Sequence, residues 1–190
     1  MNRPLTYRPT TRDLTVIALV AVLVLVAKTV LRMPIKVSGH AGVLWIAALM
    51  VGRSAVKYPI AATLMGLLGG TLVAIFQPSD AGPLFTVLKY MLPGMVLDVL
   101  VVPLGGRFDS VLPSMLAGAA AHGTKVIVDV AQSLVAGITG PVLFAGLTVS
   151  LLLHIVFGAL GGLIAAKIVA VLVRAQVPQM MDPPARGGSG

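Results

Sequence analysis

Residues 111–135 read VLPSMLAGAAAHGTKVIVDVAQSLV. The first half is apolar and rich in small residues. The second carries His122, Lys125, Asp129 and Gln132, spaced three, four and three apart. Helical positions at those spacings share a face, so the four form one continuous polar stripe, and Lys125 and Asp129 are placed to pair on successive turns. The rest of the chain decides what that stripe faces. Its 190 residues are 57% hydrophobic and only 11% charged, with a mean hydropathy of +1.01. Soluble domains carry about 25% charged residues. The stretch is therefore read as a membrane-crossing helix. Charged groups are costly in hydrocarbon, so its stripe is expected to face a bundle interior, a partner or water.

A helix needs about 20 mostly apolar residues to cross the hydrocarbon core. Punctuation by Gly, Pro and charge marks five more candidates: Leu14–Leu31, Ser38–Gly52, Pro59–Phe76, Leu84–Val102 and Ala145–Val173. The expectation is an all-α integral membrane protein with six transmembrane helices in one bundle. Residues 1–13 form a polar, basic N-terminal segment, 14–173 the helical domain, and 174–190 a flexible tail. The first apolar run lacks a convincing small-residue cleavage site and reads as a retained helix rather than a signal peptide.

Six spans put both termini on one side. With the termini cytoplasmic, the inner segments hold Arg3, Arg8, Arg12, Arg53, Lys57, Arg107, Lys167, Arg174 and Arg186, and the outer loops only Arg32 and Lys36. Short cytoplasmic loops are enriched in Lys and Arg, which sets this orientation in the cell membrane. The net charge of +8 is assigned to the membrane face rather than to nucleic acid.

Several chemistries are not supported. There are no cysteines, which rules out disulfides and thiolate sites. No Gly-Lys-Ser/Thr phosphate loop is present, so the chain is not expected to hydrolyse ATP itself. No nucleophile lies in a recognisable strained turn or beside a base. His40, His122 and His154 are scattered, a weak metal signal. Neither an enzyme, a cofactor nor a metal site is expected. Gly66 with Gly70 and Gly158 with Gly162 let helices approach closely, read as internal packing.

Depth gathers the polar residues. In the expected topology the stripe occupies the middle and outer half of its helix. Lys89 and Tyr90 lie in the outer third of the fourth span, His154 with Ser150 in the outer half of the sixth, and His40 at the start of the second. Lys36 stands in the first outer loop, within RMPIKVSGHAG (32–42), expected to form a lid. Trp45 and Tyr90 suit stacking on a planar ligand, and also suit interfacial anchoring. The candidate substrate-binding set is thus Lys36, His40, Trp45, Lys89, Tyr90, His122, Lys125, Asp129, Gln132 and His154. The lysine excess favours an anionic or acceptor-rich ligand. Asp98, alone in the inner half, is placed either to pair with a base or to cap a helix.

With six spans, a first outer loop leading into MPIKVSGHAGVLWIAALMVGR (33–53), a glycine-punctuated third span LMGLLGGTLVAIF (64–76) and the fourth-span segment GPLFTVLKYMLPGMVLD (82–98), the chain resembles a substrate-binding S component of the energy-coupling factor (ECF) vitamin transporters. The resemblance covers about residues 14–173 and is one of architecture. It implies capture of a vitamin or related micronutrient beneath the first outer loop, docking on a transmembrane T component, and uptake driven by two cytoplasmic ATPases. A corrinoid is the second ligand class it implies. Family members dock through small residues on the first span. Ala18 and Ala21 here stand three apart rather than four. Competing expectations are a six-helix scaffold, which needs no polar pocket, a lipid head-group enzyme, which needs more carboxylates, and a self-sufficient secondary transporter, which would show inverted repeats.

Overall fold

A computed structural model describes residues 8–30, 40–78, 82–138 and 140–175. Among the described residues the chain is all helical, with seven segments: α1 (Thr11–Val30), α2 (Gly42–Ala55), α3 (Ala61–Phe76), α4 (Gly82–Leu100), α5 (Val111–Gly123), α6 (Lys125–Val135) and α7 (Pro141–Arg174). Segments α5 and α6 run as one rod of 25 residues, jointed at Thr124. At the joint the ladder tightens: Thr124 N–H donates to the Ala121 carbonyl at 3.2 Å and Ile127 N–H to the Thr124 carbonyl at 3.0 Å, both three residues back. Such 3₁₀-type turns inside a helix tend to mark hinges. The stripe expected along one unbroken helix is therefore split, with His122 before the joint and Lys125, Asp129 and Gln132 after it.

Helix α1 starts three residues before the first apolar residue because Thr10 and Asp13 form a capping box. The Thr10 N–H and hydroxyl both reach Asp13 Oδ2 at 2.9 Å, and the Asp13 N–H returns to Thr10 Oγ1 at 3.2 Å. Two orphan donors of the first turn are satisfied reciprocally.

Three helices among the described residues, α4, the α5–α6 rod and α7, are long and apolar enough to cross a membrane. The side-chain distribution is that of a membrane protein. Large aliphatic residues point outward, including Leu19 and Leu23 of α1, Val99 of α4, Leu116 of α5 and Val171 of α7, while Arg53, Asp98, Ser114, His122 and His154 are buried. In water, so much contiguous apolar surface would drive aggregation. Against lipid it has no such cost.

Gln77, just past α3, donates from Nε2 to Thr29 Oγ1 near the end of α1 at 2.6 Å, so α1 and α3 finish together. Glycines set the closest crossings. A Cβ on Gly66 would overlap the Tyr90 carbonyl oxygen, one on Gly94 that of Ala62, and one on Gly162 that of Ser114. Both glycine pairs read from the sequence thus serve internal packing, α3 on α4 and α5 on α7. Ala21 is buried in the bundle while Ala18 is exposed, so the two do not share a surface.

Asp98 has both roles that the sequence left open. It forms an ion pair with Arg53 of α2. Its carboxylate also accepts from the N–H groups of Ala62 (3.1 Å) and Thr63 (2.8 Å) and from the Thr63 hydroxyl (2.7 Å). It caps the first turn of α3 from α4, placing negative charge where the helix dipole favours it. Arg53 Nη1 in turn donates to the Val56 carbonyl at 2.8 Å. This network ties α2, α3 and α4 together at one end of the bundle. The candidate site lies toward the other.

Candidate functional site

Four helices converge on a cluster of rings. Trp45 stands in the first turns of α2, Tyr90 at the middle of α4, His122 one residue before the end of α5 and His154 in α7. All four are buried, with relative exposures of 1%, 3%, 0% and 3%. The Trp45 and Tyr90 ring centroids lie 5.0 Å apart with planes tilted by 60°. His122 presents its ring edge-on to Trp45 at 5.3 Å and lies 4.6 Å from His154. Centroid separations of 4.5–7 Å in tilted geometry are the favourable ones for rings. Trp45 is thus a wall of the cluster, and the interfacial-anchor reading of it does not hold.

The histidines are oriented by backbone. His122 Nδ1 lies 2.9 Å from the His154 carbonyl oxygen, and His154 Nδ1 lies 2.7 Å from that of Ser150. A carbonyl only accepts, so each Nδ1 carries the proton and donates it. His154 also approaches Ser150 Oγ at 3.3 Å. Among the described residues His122 Nε2 is buried without a hydrogen-bond partner. The ring is seated on Gly42 at the start of α2, where any Cβ would overlap it.

Above the aromatic pair stands Lys125. Its Nζ lies 5.4 Å from the Trp45 centroid and 5.6 Å from that of Tyr90, inside the range of cation–π attraction. The expected Lys125–Asp129 pair is not what forms. Asp129 Oδ1 instead takes Lys89 of α4 at 2.7 Å, and Lys89 Nζ also donates to Gln132 Oε1 at 2.8 Å. The reason is geometric. Residues four apart share a helix face, but Lys125 leans across to the rings, while Lys89 approaches Asp129 from the neighbouring helix. The Lys89–Asp129 pair is about a quarter exposed (22% and 28%) and bridges α4 to α6 beside the cluster.

Eight of the ten candidates therefore fall into two adjoining groups: rings with Lys125, and the Lys89–Asp129–Gln132 bridge. His40 is half-buried in the turn ahead of α2. Lys36 and the remainder of the expected lid up to residue 39 lie outside the described residues. Two participants escaped the sequence reading, Gly42, which seats His122, and Gly158, whose Cβ would approach His122 Cβ at 2.7 Å. A glycine gives no chemical signal in a sequence, so only its neighbours reveal this role. No group of three or more His, Cys, Asp or Glu side chains able to hold a metal occurs among the described residues.

A cavity of about 570 Å³ lies elsewhere, between α1, α2 and α7, lined by residues such as Leu19, Leu23, Ala48 and Ile168. Its lining is apolar throughout and shares no residue with the ring cluster. It offers nothing to orient a polar ligand, so the cluster is the better candidate site.

Gly42→Ala is expected to push the His122 ring off α2. Trp45 is the chain's single tryptophan, so its emission spectrum reports the change, and stability should fall by about 1–3 kcal/mol, as for overpacking generally. Gly146→Ala, where no atom lies within 4 Å of the new Cβ, should leave the emission unchanged. Equal spectra for the two variants would mean that Gly42 does not set the ring.

No family model, no curated protein and no solved structure matches the chain.

Proposed function

We propose that this chain is a substrate-binding subunit of an ECF-type importer. It captures a vitamin-like micronutrient in a pocket built on Trp45, Tyr90, His122, Lys125 and His154. The observation that carries the reading is the convergence of buried rings and a lysine from four helices within an otherwise lipid-adapted bundle. A scaffold has no use for such a cluster, since intramembrane ionisable groups are costly and mark binding or transport sites. In this reading α1, α2, α3, α4, the α5–α6 rod and α7 supply six spans. The lysine and arginine distribution sets both termini in the cytoplasm, and the cluster then opens outward. The partners are a transmembrane T component and two cytoplasmic ATPases, consistent with the absence of a phosphate loop in the sequence.

Mild extraction followed by mass spectrometry should find a small organic molecule at near-stoichiometric amounts, and Trp45→Ala should lose it. Reconstituted alone in vesicles, the chain should bind that molecule but not concentrate it under an ion gradient. Robust gradient-driven accumulation would make it a self-sufficient transporter instead.

A further inference from the structure

Two polar groups in the ring cluster are of opposite kind. His122 gives its Nδ1 proton to the His154 carbonyl, so Nε2 offers a bare lone pair. That atom is buried and lacks a donor among the described residues. Lys125 offers the reverse. Its ammonium rests over Trp45 and Tyr90, while the neighbouring carboxylate, Asp129, is taken by Lys89. Buried polar groups in folded proteins nearly always find partners, and each orphan calls for an explanation. His122 Nε2 is such an orphan, whereas Lys125 is half-buried over the rings. Both flank one indole: the His122 ring centroid is 5.3 Å and Lys125 Nζ 5.4 Å from the Trp45 centroid.

Building on the binding-subunit reading, we infer that the ligand is a planar nitrogen heterocycle that donates an N–H to His122 Nε2 and presents an anionic or carbonyl acceptor to Lys125. Trp45 and Tyr90, tilted by 60° with centroids 5.0 Å apart, form an aromatic wall of the kind against which planar rings pack. A site that holds a buried acceptor rejects analogues lacking the matching donor, because its own group is then left unpaired. Specificity therefore resides at His122, while Lys125 contributes attraction to any acceptor-bearing ring. His154 is a positioning residue: its carbonyl fixes which nitrogen of His122 is bare.

Metal-ligating histidines show the same Nδ1–H to carbonyl arrangement. Here a lysine ammonium shares the indole with the imidazole, and no three-ligand cluster is present among the described residues. Both features oppose a cation.

The test uses two probes of one shape, titrated by Trp45 fluorescence. 6-Aminonicotinate carries an amino donor and a carboxylate at opposite ends of a ring, and nicotinate lacks the amino group. The native chain should bind 6-aminonicotinate about tenfold more tightly, the cost of leaving an acceptor unpaired. His122→Phe, which keeps an aromatic ring, should erase that preference. Lys125→Met should weaken both probes by a similar factor and keep the preference. Equal affinities in the native chain, or a preference that survives His122→Phe, would overturn the His122 assignment. Binding of neither probe would overturn the ligand class while leaving the importer reading to the copurification experiment. Tight binding of hydroxocobalamin, lost in His122→Phe, would assign the lone pair to a metal and overturn the inference.

Discussion

Asp98→Ala should lower the stability of the folded chain by about 3–5 kcal/mol, the usual result of removing one partner from a buried ion pair. The side chains of Asp98 and Arg53 are each only 7% exposed. Truncating the carboxylate leaves Arg53 charged in an apolar bundle with one backbone carbonyl as its remaining acceptor. It also uncaps α3, whose Ala62 and Thr63 N–H groups lose their acceptor. Loss of a cap alone costs about 0.5–2 kcal/mol. Asp98→Asn should be milder, since an amide oxygen still accepts from the helix terminus. Thermal unfolding in detergent compares the two. Because the network stands at the opposite end of the bundle from the rings, Trp45 emission in the folded fraction should stay as in the native chain. If Asp98→Ala unfolds no earlier than Asp98→Asn, the carboxylate is not the clamp described.

The second large effect is expected at Gly158. Its Cα hydrogen faces the Gly118 carbonyl, and any Cβ there would overlap that oxygen and press on His122 Cβ at 2.7 Å. Neither neighbour is the loose end of a flexible side chain. Helices α5 and α7 would have to separate, and in a membrane their association rests on such close packing. Gly158→Val should therefore cost about 3 kcal/mol, the upper range of overpacking. It should also move His122, so Trp45 emission should change along with stability. A variant that loses stability with an unaltered Trp45 spectrum would separate the helix contact from the site.

The all-helical character was legible because long apolar runs leave few alternatives to helix, and three helices among the described residues are long and apolar enough to cross a membrane. Each of the six apolar stretches overlaps helix among the described residues, and Gly66, Gly70, Gly158 and Gly162 lie at crossings. The helix starts were harder. The first span was placed from Leu14 because hydropathy ignores the Thr10–Asp13 capping box that opens α1 earlier. The break at Thr124 was missed because nothing in Gly-Thr-Lys forbids a continuous helix. Beyond it, α6 is bridged to α4 through Lys89, a contact between helices that the local sequence does not announce.

In the candidate site, the residues of the stripe lie in two adjoining groups, and one expected partner differs. Positions 125 and 129 fit the four-residue rule, but a rule within one helix cannot see Lys89 arriving from another. The two roles open for Asp98 were alternatives only on paper. A carboxylate has two oxygens, and here they serve both a guanidinium and a helix terminus. His122 Nε2 was not legible at all, since its tautomer depends on a carbonyl 32 residues away.

The joint at Thr124 has a further consequence for His122 and Lys125. On an unbroken helix, residues three apart are held at a spacing fixed by the helical repeat. Here the tightened turn falls between them, so their separation follows the angle at which α6 leaves α5. That angle is held from outside by Lys89 gripping Asp129 and Gln132. The span between the lone pair and the ammonium is thus fixed by how separate helices meet rather than by the repeat of a single one.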